Sequence, residues 1–162
     1  MSTTAFTPLS GTMQNEQQSR QWATLQFESA YAGKAWKRLW ERISGGAQCL
    51  LNLNAAQSAP GAKSEHDGGM RVVPLSEIVG SQDRACDFAP DFRPRQTHTR
   101  SRWIGIAAAS LAGKPMPPVE LVQVGNAYYV RDGHHRVSVA RVTGQLHIDA
   151  HVTVLDVQGE SK

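Results

Sequence analysis

Cysteine is nearly absent from this chain, with two residues, Cys49 and Cys86, in 162. They are too few for a disulfide framework and neither belongs to a Cys-x-x-Cys pair, so a stapled secreted scaffold is excluded and a reducing cytoplasm is the expected location. Long apolar runs are missing too, which excludes a transmembrane helix, and the first twenty residues are polar and lack the apolar centre of a secretory leader. No charge of one sign dominates. Lys and Arg total 17 against 14 acidic residues, a balance that permits a polyanionic partner without requiring one. The length suits one domain with its own core and not two full-sized ones.

What the chain does have is a stretch of chemistry from Tyr128 to Arg141. Tyr128, Tyr129 and Val130 suit a pleated, half-buried strand, Asp132-Gly133 breaks it, and a helix is predicted over residues 134–142, ended by Gly144. A strand that feeds a helix through a glycine leaves the first helical N–H groups unpaired and backed by the positive end of the helix dipole, which attracts anions. Gly133, His134, His135 and Arg136 furnish that spot, and a guanidinium can grip a phosphate with two parallel hydrogen bonds. The plain alternative is an ordinary Asp-Gly turn whose Arg136 is solvated or pairs with a surface carboxylate, but two imidazoles and a guanidinium repel one another unless something negative sits between them. A zinc site is disfavoured, because His134 and His135 are neighbours and do not share a helix face. Asp132 is a single carboxylate for a magnesium ion carried by a nucleotide.

Around this motif the composition changes along the chain. Residues 1–19 are polar and turn-rich and read as a disordered tail. Residues 20–43 read as an amphipathic, basic helix with Trp36, Leu39, Trp40 and Ile43 on one face, suited to the core domain, a protein partner, nucleic acid, an anionic membrane surface or self-association. Residues 44–70 are rich in Gly, Ala, Ser and Asn and read as a flexible linker, so that a chain lacking everything before Met70 is expected to fold. The domain proper is expected over 71–158. It comprises a strand at 71–74, a short helix at 75–79, a loop at 80–98, a helix at 100–112, a hairpin of strands 119–124 and 127–131 across Gly125-Asn126, the motif helix and a last strand at 148–157. At the start of the central helix, Arg100 or Arg102 is a candidate for a second phosphate, and His98 for a general base, unless Thr97 or Thr99 simply caps a solvated helix start. Trp103 reads as core.

These residues, in this order, resemble the ParB/sulfiredoxin superfamily. Val72-Val73-Pro74-Leu75-Ser76-Glu77-Ile78 is similar to the opening strand, Arg84, a candidate phosphate-binding residue through this resemblance, to the arginine that follows, and the run from Arg102 to Ala109 to the next helix. Gly113 to Leu121 is similar to the proline-rich entry to the second strand. The resemblance covers about half of the chain and implies an α+β fold, a small mixed sheet with packed helices preceded by the amphipathic helix, and a cradle for nucleotide phosphates at Gly133, His135 and Arg136. Sulfiredoxins carry Gly-Cys-His-Arg here. His134 stands at the position of that cysteine, and an imidazole cannot form the sulfur intermediate, so reductase activity is not implied. Partitioning ParB proteins carry Gly-Glu-Arg-Arg and a following helix-turn-helix domain that this sequence does not supply. The Asp-Gly-His-His-Arg form most resembles ParB-like nuclease domains, and also the matching turn of small-molecule kinases.

Two classes of function follow. One is a phosphohydrolase, an NTPase or a nuclease, using ATP or CTP or a nucleic acid with Mg2+, in which His134, His135 and Asp132 handle protons or metal and Arg136 stabilises charge on phosphorus. The other is a non-catalytic nucleotide- or DNA-binding module that recruits a partner through its N-terminal helix. A small-molecule kinase is a subordinate form of the first.

Overall fold

A computed structural model of the chain describes residues 10–32, 49–56 and 63–157. Six strands form one mixed sheet in the order β1-β3-β5-β4-β6-β2. They are β1 (Leu51–Asn52), β2 (Lys63–Pro74), β3 (Ile78–Ser81), β4 (Val119–Val124), β5 (Ala127–Asp132) and β6 (His147–Val157). β1, β3 and β5 run parallel, β5 and β4 form the expected hairpin, β4 and β6 run parallel, and β6 and β2 form a long antiparallel ribbon. The helices are α1 (Ser10–Ala32), the single turn α2 (Leu53–Ala56), α3 (Arg100–Leu111) and α4 (His134–Val142). This is the α+β class expected.

The alternation of side chains along the central strands explains the layering. Leu121, Tyr128, Val130, Ala150 and Val152 point to one face, where Val137 and Ala140 of α4 cover them. Val122 and Leu155 point to the other, against Leu53 of α2. A second cluster stacks outward from α4. Val139 meets Trp103, Ile104, Ala107 and Ala108 of α3, and these meet Ala23 and Phe27 of α1. Trp103 is fully buried, donates its indole N–H to Ser138 Oγ at 2.9 Å, and takes the edge of Phe27 at 5.6 Å between centroids. The aromatic core reading of Trp103 therefore holds, with its polar atom paired as burial requires.

Several boundaries differ from the sequence reading, each for a packing reason. Helix starts at Ser10, inside the span read as a tail, because Ala23 and Phe27 are buried in one cluster with Trp103, Ile104, Ala107 and Ala108 of α3. Helix propensity alone is weak over these polar residues, and tertiary burial supplies the stability. The stripe of Trp36, Leu39, Trp40 and Ile43 lies outside the described residues. The span read as a linker contributes β1, α2 and the first half of β2. Its glycines and polar residues are tolerated in β2 because that strand lies at the edge of the sheet, where Gly68 and Gly69 form a bulge against β6. Residues 75–79 are a 3-10 turn at Leu75–Glu77 followed by the interior strand β3, too short to announce itself by alternation. Cys49 and Cys86, too few for a framework, are joined in a single disulfide. The pairing of β1 with β3 and the bond from Leu50 N–H to the Ala85 carbonyl at 2.9 Å bring them together, which no sequence spacing signals. Among the described residues no helix is long and apolar enough to cross a membrane.

This packing reverses the truncation expectation. A chain starting at Met70 lacks α1, β1 and half of the β2–β6 ribbon, and thermal scanning should find no cooperative transition. In the full chain Phe27→Ala should cost about 3–5 kcal/mol in urea denaturation, the range for a truncated core aromatic. A loss under about 1 kcal/mol would show α1 to be an appendage.

Candidate functional site

The site is built where β5 ends. Gly133 adopts φ 92 as the residue that opens α4, and its carbonyl accepts the Val137 N–H at 3.0 Å. A Cβ added there would lie 2.6 Å from Val119 Cγ1 on β4, so both the backbone angle and the space demand glycine. No side chain caps the helix. Its first N–H groups therefore face outward at the positive end of the helix dipole.

Above that turn is a concavity of about 390 Å³. Arg131 and Asp132 enter it from β5, Gly133, His134, His135 and Arg136 from the turn and α4, Asp83 and Arg84 from the loop after β3, and Arg102 and Ile106 from α3. The expected residues Arg84, Arg102, Asp132, Gly133, His134, His135 and Arg136 thus meet in one place. Arg100 does not. Two positions along a helix from Arg102, it turns toward α1, where it pairs with Glu28 at 2.8 Å and lies 5.8 Å over the Phe27 ring. His98 is exposed in the 3-10 turn Thr97–Thr99 and does not line the concavity, and Thr99 precedes α3 without a side-chain cap bond.

The four guanidinium groups in the concavity are not equivalent. Arg136 donates to the carbonyls of Pro117, at 2.6 Å, and Pro118, and pairs with Asp132 Oδ2 at 2.8 Å, so it braces the segment entering β4 against the turn. Arg131 is held by Gln82 Oε1 at 2.9 Å and by Glu65 at 3.3 Å. The side chains of Arg84 and Arg102, by contrast, have no hydrogen bond or ion pair among the described residues. Asp132, the expected metal ligand, spends one oxygen on Arg136, and no three His, Cys, Asp or Glu side chains gather as a metal site among the described residues.

Both imidazoles are buried behind these cations. His134 lies with Nε2 2.7 Å from Ser81 Oγ and stacks on Phe88 at 5.9 Å, and His135 meets the same ring edge-on at 5.3 Å. Burial first, then the nearby Arg84 guanidinium, lowers the His134 pKa to about 4. Burial, then Arg102 and Arg84, lowers His135 to about 4 as well. Both rings are neutral at pH 7. Ser81 Oγ already accepts the Arg84 N–H at 2.9 Å, so its own proton is free to go to His134 Nε2, which puts the ring proton on Nδ1. His135 Nδ1 is buried without a partner.

Sequence reasoning missed Ser81, Asp83, Phe88 and Arg131. Arg131 had a visible signal, one step before Asp132 on the same strand. Ser81 and Phe88 did not, since they reach the motif only through the parallel pairing of β3 with β5 and the folding back of the loop after it.

Fold and site together define a mixed α+β domain with a basic concavity at a strand–glycine–helix turn. No protein-family model matches the chain, and no curated protein matches it. Among solved structures it is similar to the sulfiredoxin of Arabidopsis thaliana, at 18% identity, over 51% of this chain and 82% of that one, with a TM-score of 0.36. So faint a likeness carries no argument about chemistry, and the fold class rests on the sheet and helices themselves.

The lowered histidine pKa values set a pH dependence of stability. With ordinary values of 6.5, the unfolded chain takes up protons first as pH falls, so stability is complete above about 6.5 and is lost on the way down to about 4. Each ring accounts for roughly 3 kcal/mol of loss at the lower end. Urea titrations at pH 7 and 4.5 should give a smaller difference for His135→Leu than for the parent. Equal differences would mean that His135 is not a buried neutral ring.

Proposed function

We propose that this protein binds the phosphate chain of a nucleoside triphosphate, ATP or CTP, at the turn that opens α4. The observation that carries the reading is the convergence of Arg84 and Arg102, two guanidinium groups without a hydrogen-bond or ion-pair partner among the described residues, on the concavity above the uncapped helix start. Two cations lining one concavity favour an anion between them. Phosphate oxygens fit, because each accepts charge-assisted bonds from a guanidinium while the helix N–H groups meet the same group from below. Arg131 and Arg136 form the walls.

Binding is favoured over turnover by the state of the proton carriers. Imidazoles held at about 4 are weak bases at neutral pH, and Asp132 is engaged with Arg136. Magnesium enters this reading only as the counter-ion of the nucleotide. NTPase, nuclease and kinase activities, and recruitment of DNA or a protein partner, remain second to nucleotide binding, and release of inorganic phosphate in the binding experiment would promote the first of them.

Calorimetric titration with ATP and with CTP, with and without magnesium, tests the reading. Charge-assisted contacts are worth about 1.5–3 kcal/mol, so Arg84→Ala and Arg102→Ala should each weaken binding roughly tenfold or more, while Arg100→Ala should leave it unchanged. Equal affinity in all three variants, or no binding by the parent, would overturn the assignment. A bound polyanion also favours the charged imidazoles, so affinity should rise as pH is lowered from 7 to 5.5. A flat or opposite profile would remove His134 and His135 from the site.

A further inference from the structure

The disulfide between Cys49 and Cys86 stands beside the concavity and is not explained by it. Cys86 lies in the loop that follows β3, two residues after Arg84 and two before Phe88, the ring on which His134 and His135 pack. Cys49 lies just before β1, a strand of only two residues. The segment it anchors reaches the same loop a second time. Asn54 Nδ2 donates to the Gln82 carbonyl at 3.0 Å and to Asp83 Oδ1 at 3.2 Å, and Gln82 in turn holds Arg131. One covalent bond therefore ties residues 49–56 onto the loop that supplies Asp83 and Arg84 and orients Arg131. Besides that bond, the described contacts of the segment include a two-residue strand pairing, the Leu50 to Ala85 bond, burial of Leu50 and Leu53, and the exposed side-chain bonds of Asn54.

The surroundings of the two sulfurs also favour exchange. Cys86 is an exposed residue. Arg95 Nη1 lies 3.6 Å from Cys49 Sγ, where its charge stabilises a departing thiolate.

We propose that Cys49–Cys86 is a reversible thiol–disulfide switch that sets the affinity of the neighbouring anion site, an inference that rests on the phosphate-binding reading above. The reductant is a dithiol. Its thiolate attacks Cys86 Sγ, the Cys86–Cys49 bond breaks, and Cys49 leaves as a thiolate beside Arg95. The second thiol of the reductant then attacks the mixed disulfide and releases Cys86. Two electrons pass to the two cysteines, the two thiol protons of the reductant balance their charges, and the reductant ends as its own disulfide. Ala85 and Phe88 stay buried and the Arg84 N–H stays bonded to Ser81 Oγ after reduction, but the covalent tie that keeps Asn54 on Gln82 and Asp83 is lost, so the Arg84 side chain and its neighbours gain freedom that binding must remove.

The test is calorimetric titration of the full chain with ATP after air oxidation and after dithiothreitol treatment, with thiols counted in each sample. Oxidised protein should bind roughly tenfold more tightly. Cys49→Ser with Cys86→Ser should match the reduced form and ignore dithiothreitol, and Arg84→Ala should lose most of the difference. Equal affinity in folded oxidised and reduced protein, or two thiols that resist oxidation, would overturn the switch. If neither form binds ATP, the phosphate reading fails, and amide hydrogen exchange decides the switch alone: faster exchange over residues 82–88 on reduction supports it, and unchanged exchange sinks it.

Discussion

The contact between Gly133 and Val119 constrains everything around the site. β4 and β5 pair so closely at their ends that the turn out of β5 has no room for a side chain, and the backbone angle there admits little besides glycine. That one turn converts the direction of β5 into the axis of α4. Arginines then fix the helix at both ends. Arg136 ties its first turn to the carbonyls before β4, and Arg141 ties its last to the carbonyls of Leu75 and Ile78 while lying 4.8 Å over the Phe92 ring. With α4 held, Val137 and Ala140 seal the sheet, Ser138 receives the Trp103 indole, and Val139 seats α3 and through it α1. The helix that packs the core is the helix whose N-terminus forms the floor of the concavity, so stability and the candidate chemistry depend on the same turn.

Electrostatics extends the same arrangement. The two imidazoles lie in low-dielectric surroundings between Phe88 and the guanidinium groups, and they avoid the cost of a buried charge by staying neutral. Neutral rings still donate N–H to an anion, and they do not add to the repulsion among the arginines. Arg131 and Arg136 are satisfied by protein partners, whereas the Arg84 and Arg102 side chains have no hydrogen bond or ion pair among the described residues, which is what the proposed polyanion would supply. Tied cations as walls and unpaired cations as contacts describe a site prepared for a polyanion more readily than one prepared for acid–base work.

The motif was legible in the sequence because it is local. Strand, glycine and helix occupy consecutive residues, and each follows from its own side chains, so β5, α4 and the hairpin from β4 lie where the pattern puts them. The central helix was legible for the same reason. What could not be read depends on distant partners. β3 has four residues and no periodicity long enough to declare it. β2 is polar and glycine-bearing, and it is a strand because eleven residues of β6 pair with it. α1 is helical where Phe27 finds Trp103. Arg100 and Arg102 look alike in sequence, and only the packing of α1 on α3 decides that one faces Glu28 and the other the concavity.

Amide and guanidinium shifts in 1H–15N NMR spectra, followed as ATP is added, test the central claim most directly, because they report where on the chain the phosphates rest. The account predicts that the largest changes fall on the backbone N–H groups of His134, His135 and Arg136 and on the side chains of Arg84 and Arg102, with Arg100 unmoved. Changes confined to another surface, such as the β2–β6 ribbon, or none at all at millimolar nucleotide, would contradict it.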